Sequence, residues 1–139
     1  MNPKQATLFK LGLPLFSCPV SAGFPSPAED FIEKHLSLDD YVIRNPSSSF
    51  YLRASGNSME GAGIFNGDLL VVDRSLSIQN NAIVIACIDG EMLVKRLVIN
   101  KVSKTVFLKS ENVQYPNIRV SNAQDLVIWG IVIYVIHKL

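Results

Sequence analysis

The chain has 139 residues, enough for one domain and too few for two ordinary ones. Hydrophobic residues make up 48% and charged residues 18%, which supplies a sizeable core and excludes global disorder. Thirteen Lys and Arg against 12 Asp and Glu leave a net charge of +1. That balance is a poor footprint for a protein that grips nucleic acid directly, so no strong direct nucleic-acid binding is expected.

The first 25 residues carry Pro3, Pro14, Pro19 and Pro25. Proline removes a backbone donor and fixes φ, so this arm is predicted to be extended. Lys4 and Lys10 precede the apolar stretch Leu11 to Phe16, and Val20-Ser21-Ala22 has the small residues of a signal-peptidase site. One alternative is therefore a secreted β domain cut after Ala22 by another enzyme. Lys10 and Pro14 interrupt the apolar stretch and argue against it. Ser26-Pro27-Ala28-Glu29 reads as a capping box with proline at the first helical position. A short helix is predicted to follow, through Phe31, Ile32 and Leu36. Ser37 to Asp40 reads as a second cap or turn, and Asn45-Pro46 breaks the chain.

From Ser49 onward the pattern is that of strands. They are predicted at Phe50 to Ala54, Leu69 to Val72, Ile83 to Ile88, Met92 to Ile99, Thr105 to Leu108, Ile118 to Val120 and Leu126 to Ile136. Asn66-Gly67-Asp68 is a turn, and Asp89-Gly90 is a strong hairpin signal. Leu126 to Ile136 is too short to cross a bilayer as a helix and is rich in Ile and Val. Its stretch around Trp129 to Ile136 is open to a core strand, a dimer surface or both, with core favoured because continuous apolar strands are usually buried, and no membrane association is expected. The expected fold class is mostly β: an arm with a short helix over residues 1–46, then a compact β domain over 47–139.

Cys18 and Cys87 lie far apart with no CxxC pair, and His35 and His137 stand away from both. No disulfide framework, metal site or cofactor is expected, and reduced thiols fit a cytoplasmic location.

Three segments could carry chemistry. Ser58 lies in Ser55-Gly56-Asn57-Ser58-Met59, a glycine-containing loop just after a strand. Such a loop can expose a hydroxyl and aim backbone N–H groups, although serine needs a base to become nucleophilic. Taken alone, a serine there is an ordinary turn residue. Lys95 lies inside the strand Met92 to Ile99. Strand alternation places it with Leu93, Leu97 and Ile99, while Arg96 falls with Met92, Val94 and Val98. Both faces are apolar, so the pattern does not say which basic residue is buried, or whether both reach the surface. Chemistry favours Lys95, because a buried lysine can become a neutral base and arginine cannot. Finally, Ala22–Gly23 is a bond with little side-chain bulk in an extended, proline-flanked arm.

Taken together and in this order, these segments resemble the LexA/UmuD family of serine–lysine peptidases. The matching residues are Ser-Gly-Asn-Ser-Met at 55–59, Asn66-Gly67-Asp68-Leu69-Leu70-Val71-Val72-Asp73, and Asp89-Gly90-Glu91 leading to Val94-Lys95-Arg96-Leu97. Val20-Ser21-Ala22-Gly23 is similar to the family's self-cleavage site, and Phe24 to Asp30 resembles its UmuD branch. The resemblance covers nearly the whole chain and implies a LexA-like peptidase β domain. It assigns Ser58 as nucleophile, Lys95 as general base, Ala22–Gly23 as the bond cut, and the backbone N–H groups of Asn57 and Ser58 as oxyanion donors. It implies cleavage stimulated by the RecA–single-stranded-DNA filament. It also implies a cleaved homodimer serving a UmuC-type Y-family translesion polymerase. Asn57 stands where the family often has an acidic residue, and Glu60 to Ile64 is a variant segment. Only 22 residues precede Gly23, too few for the DNA-binding domain of LexA-type repressors, which argues against a truncated repressor. Type I signal peptidases share the chemistry but need a membrane anchor. A polymerase-binding scaffold without proteolysis is the other competing function.

Overall fold

The computed structural model describes residues 12–17, 19–20, 31–121 and 124–139. The chain divides into two compact units, Met1–Arg44 and Asn45–Leu139.

In the first unit, β1 (Leu13–Phe16) pairs antiparallel with β2 (Ile32–Leu36), and a short helix α1 (Leu38–Val42) follows. The expected helix through Ile32 and Leu36 is therefore corrected, and its capping box at Ser26–Glu29 lies outside the described residues. The cause is a periodicity shared by both structures. Ile32 and Leu36 are four residues apart, which puts them on one face of a helix and also on one face of a strand. Backbone partners decide between them: Leu13 stands opposite Leu36 and Phe16 opposite Ile32, with a bulge between Leu15 and Phe16. Helix α1 begins after Ser37, and the acidic Asp39 and Asp40 in its first turn complement the helix dipole.

Among its described residues, the second unit forms an antiparallel sheet of seven strands: β3 (Ser49–Arg53), β4 (Leu69–Asp73), β5 (Ile83–Ile88), β6 (Glu91–Asn100), β7 (Thr105–Lys109), β8 (Ile118–Val120) and β9 (Leu126–Ile136). Their spatial order is β3-β4-β9-β5-β6-β7-β8. Asp89 and Gly90 both take positive φ, 50° and 79°, as a two-residue hairpin between β5 and β6 requires. The last strand, β9, runs through the middle. Its second half pairs with β4 and its first half with β5, with a bulge in each ladder. Gly130 sits at this crossing. A Cβ there would lie 2.7 Å from Val72 Cγ1, so only glycine lets the strands approach.

Two apolar clusters form the core. One gathers Ala54, Met59, Ile64, Leu70, Val72 and Ile85; the other gathers Val84, Ala86, Ile88, Leu97 and Leu108. Strand β5 contributes to both through its alternating side chains, which explains its unbroken apolar run. Strand β9 is central as expected of a core strand, yet Val127 and Trp129 remain exposed, and the Arg74 guanidinium lies over the Trp129 ring. Among the described residues, no helix is long and apolar enough to cross a membrane.

Asp73 closes β4 and is 1% exposed. Its carboxylate accepts hydrogen bonds from Asn45 Nδ2, Ser48 Oγ, and both the backbone N–H and the hydroxyl of Ser75. Burial alone would raise its pKa. The donors, with Asn45 and Ser75 foremost, outweigh burial and hold the value down at about 2.

Candidate active site

Ser58 is carried by the loop between β3 and β4. Met59, 1% exposed, plugs that loop into the first apolar cluster. Gly56 and Gly63 bracket the turn with φ of 84° and 81°, a region that disfavours side chains. The turn Phe65–Asp68 holds the loop's incoming stem. Ala54 N–H donates to the Asp68 carbonyl, Gly67 N–H to the Ala54 carbonyl, and Gly56 N–H to Asn66 Oδ1, each at 2.8 Å. Asp68 is itself buried. It accepts hydrogen bonds from the Phe65 N–H and from His137 Nδ1. Burial pushes its pKa up, but the His137 hydrogen bond, the Phe65 N–H and the His137 charge bring it below the usual carboxylate value. A segment after β7, Glu111–Asn112, holds the other side of the loop.

Lys95 stands on β6 opposite Val84 and is 7% exposed. Its Nζ lies 2.7 Å from Ser58 Oγ. Burial lowers its pKa, and the nearby Glu91 charge opposes that shift only in part. A protonated lysine donates to the hydroxyl oxygen here, while a neutral one accepts the hydroxyl proton. The second form is the arrangement of a nucleophile with its base. Arg96, the other basic residue of the strand, is half-buried and pairs with Glu111.

The pair opens on a cleft of about 190 Å³ lined by Leu52, Ala54, Leu70, Ile85, Met92 and Val94. Beside it, among the described residues, the first half of β6 has a strand partner on one side. Glu91 to Lys95 pair with β5 on one side, and pairing with β7 begins only at Arg96. Among the described residues, β3 likewise has one strand partner, β4. Asn57 is exposed on the loop. Among the described residues, neither the Asn57 nor the Ser58 backbone N–H has a hydrogen-bond partner. The structure thus brings Ser58, Lys95 and Asn57 together. Ala22 and Gly23 lie outside the described residues.

Sequence reasoning missed Glu111, Asn112 and His137 as supports of the loop. Polar residues in a loop and near a chain end carry no periodicity, so no sequence signal marked them. Asn66 and Asp68 were legible only as a turn.

The peptidase S24-like family model matches residues 14–133. The chain is similar to Protein ImpA of Escherichia coli, 46% identical over 90% of this chain and 83% of that protein. It is 41% identical to Protein MucA of Escherichia coli over 86% of this chain and 81% of that protein. It is also 41% identical to the LexA repressor of Shewanella piezotolerans, over 93% of this chain and 61% of the repressor. The chain belongs to the peptidase S24-like family, as a UmuD-like member of it.

Proposed function

We propose that this chain is a self-cleaving serine peptidase of the SOS response, in which Ser58 attacks its own Ala22–Gly23 bond with Lys95 as general base. The observation that carries the reading is the 2.7 Å approach of Lys95 Nζ to Ser58 Oγ at a buried lysine of lowered pKa. Neutral Lys95 takes the hydroxyl proton while Ser58 Oγ forms a bond to the Ala22 carbonyl carbon. In this reading the oxyanion is met by the backbone N–H groups of Asn57 and Ser58, which have no other hydrogen-bond partner among the described residues. The tetrahedral species then breaks its C–N bond, and the Lys95 ammonium returns the proton to the Gly23 amine. Water, deprotonated by neutral Lys95, hydrolyses the acyl-enzyme, restores the serine and leaves a chain that begins at Gly23. Among the described residues, Glu91 to Lys95 of β6 have a strand partner on one side, which supports docking of an extended segment beside the pair by strand addition. The small cleft suits an Ala–Gly bond.

In this reading residues 1–46 are the substrate arm and residues 47–139 the peptidase domain. Tethering removes the bimolecular encounter. Restraint then comes from a competent state that is rarely populated until the RecA–single-stranded-DNA filament binds it better than the idle state. The cleaved form is a cytoplasmic homodimer that serves a UmuC-type Y-family polymerase in translesion synthesis. The exposed Val127 and Trp129 are available to such contacts.

The test is mass spectrometry of the purified protein and its Ser58→Ala variant, with and without an activated RecA filament. The expected product begins at Gly23, depends on Ser58 and increases with the filament. A product that ignores Ser58 means processing by an outside protease. No product from either protein favours the non-proteolytic scaffold.

A further inference from the structure

The Ser58 loop is gripped on the side away from its incoming stem by Glu111 and Asn112, and these contacts fall on the two peptide planes around the nucleophile. Glu111 N–H donates to the Ser58 carbonyl at 2.8 Å, and Asn112 Nδ2 donates to the Asn57 carbonyl at 2.9 Å. A peptide unit is planar, so its C=O and the following N–H point in opposite, coupled directions. Holding the Asn57 carbonyl therefore aims the Ser58 N–H, and holding the Ser58 carbonyl fixes the plane that leads to Met59. The grip is anchored in turn. Arg96 Nε donates to Glu111 Oε1 at 2.5 Å, and a second Arg96 nitrogen donates to the Asn81 carbonyl at 2.6 Å. Gly61 N–H donates to the Glu111 carbonyl at 2.7 Å, and a Cβ on Gly61 would lie 2.5 Å from that same oxygen. The strap and the loop thus touch at van der Waals distance.

We propose that Arg96, Glu111 and Asn112 form a positioning strap that sets the direction of the Ser58 N–H and the placement of Ser58 Oγ against Lys95. This rests on the reading of Ser58 and Lys95 as the reacting pair. The strap touches no reacting atom, so its members are positioning residues. Strand β6 then serves the reaction twice. Lys95 leaves it on one face to meet the hydroxyl, and Arg96 leaves it on the other to hold the strap that aims the serine backbone.

Two uncharged changes loosen the strap without altering the charges around Lys95. Asn112→Ala removes the donor to Asn57. Gly61→Ala pushes the Glu111 carbonyl away, and Gly61 does not itself require a positive φ. The measurement is the rate of Gly23 N-terminus formation by the full chain across neutral to alkaline pH, with thermal unfolding alongside. Both variants are expected to lower the plateau rate about tenfold or more, since misplacing reacting groups by about an ångström costs up to roughly a hundredfold. The pH midpoint set by Lys95 should stay where it is in the parent. Arg96→Gln and Arg96→Gln/Glu111→Gln should lower the plateau equally, because both release one strap. Parent-like plateau rates in folded Asn112→Ala and Gly61→Ala proteins would overturn the proposal. So would losses explained wholly by a shifted midpoint. A parent whose slow cleavage is unchanged by Ser58→Ala overturns the reading beneath it, and the two failures are thereby told apart.

Discussion

Asp73 and Lys95 are both charged side chains buried in the same sheet, yet the fold treats them oppositely. Four donor groups surround the Asp73 carboxylate and hold its pKa at about 2. Lys95 has a serine hydroxyl at 2.7 Å and no ion pair among the described residues, and burial lowers its pKa. A buried charge with a full set of partners fastens the fold. In the proposed reading, a buried amine of lowered pKa beside a single hydroxyl is held ready to act as a base. The comparison teaches where to look for function: at the buried charged group that meets a hydroxyl rather than a full set of donors or an ion-pair partner.

The sharpest way to break this contrast is substitution at each end. Ser58→Ala and Lys95→Met are expected to reduce self-cleavage by at least about a thousandfold, measured as Gly23 N-terminus formation. Lys95→Met should leave the melting temperature equal or higher, because replacing a poorly paired buried charge by an apolar chain removes a desolvation cost. Asp73→Ala should do the reverse. It strands the Asn45, Ser48 and Ser75 donors and is expected to cost about 2–4 kcal/mol in denaturant unfolding. A Lys95→Met protein that melts well below the parent would break the contrast.

A smaller effect is expected at the β9 crossing. Gly130→Ala forces a methyl against Val72 Cγ1 and the Asp73 carbonyl, and should cost about 1–3 kcal/mol by overpacking. It disturbs the Asp73 end and should leave the pH midpoint of cleavage unchanged.

The two groups also separate by pH. The folded pKa of Asp73 is depressed, so its contribution to stability is fully present above the ordinary value of 3.8 and is lost as pH falls toward about 2. Lys95 is also depressed, but as a base. Its folded form binds the proton less tightly than its unfolded form, so its penalty on folding is relieved as pH rises toward 10.5. Stability therefore rises with pH in two separate windows. Acid unfolding of Asp73→Asn should lose much of the lower one, while Lys95→Met should lose the upper one.

Much of the sheet was legible in the sequence. Asp89-Gly90 and Gly67 supply positive φ at turns, and Val- and Ile-rich runs fill the strands between them. The order of strands was not legible. Nothing in the apolar run Leu126–Ile136 says that it slips between β4 and β5, because a strand buried between neighbours carries no mark of which neighbours they are. Strand β2 was misread because Ile32 and Leu36 satisfy two periods at once. At the candidate site, Ser58 and Lys95 stood out by chemistry and by the family resemblance, while strand alternation left open which of Lys95 and Arg96 is buried. Lys95 is buried, and Arg96 is taken up by Glu111. The strap at Glu111–Asn112 acts through backbone groups, which every residue type possesses, so side-chain pattern could not reveal it.

The central claim is that buried Lys95 acts as a neutral base toward Ser58. The most direct test is the rate of unassisted cleavage of the full chain from neutral to alkaline pH, compared with Lys95→Arg. The account predicts a rate that climbs with pH to a plateau in the parent and no cleavage in Lys95→Arg at any pH, because arginine keeps its proton. A rate that is flat or falls toward alkaline pH, or a Lys95→Arg protein that still cuts itself, would contradict it.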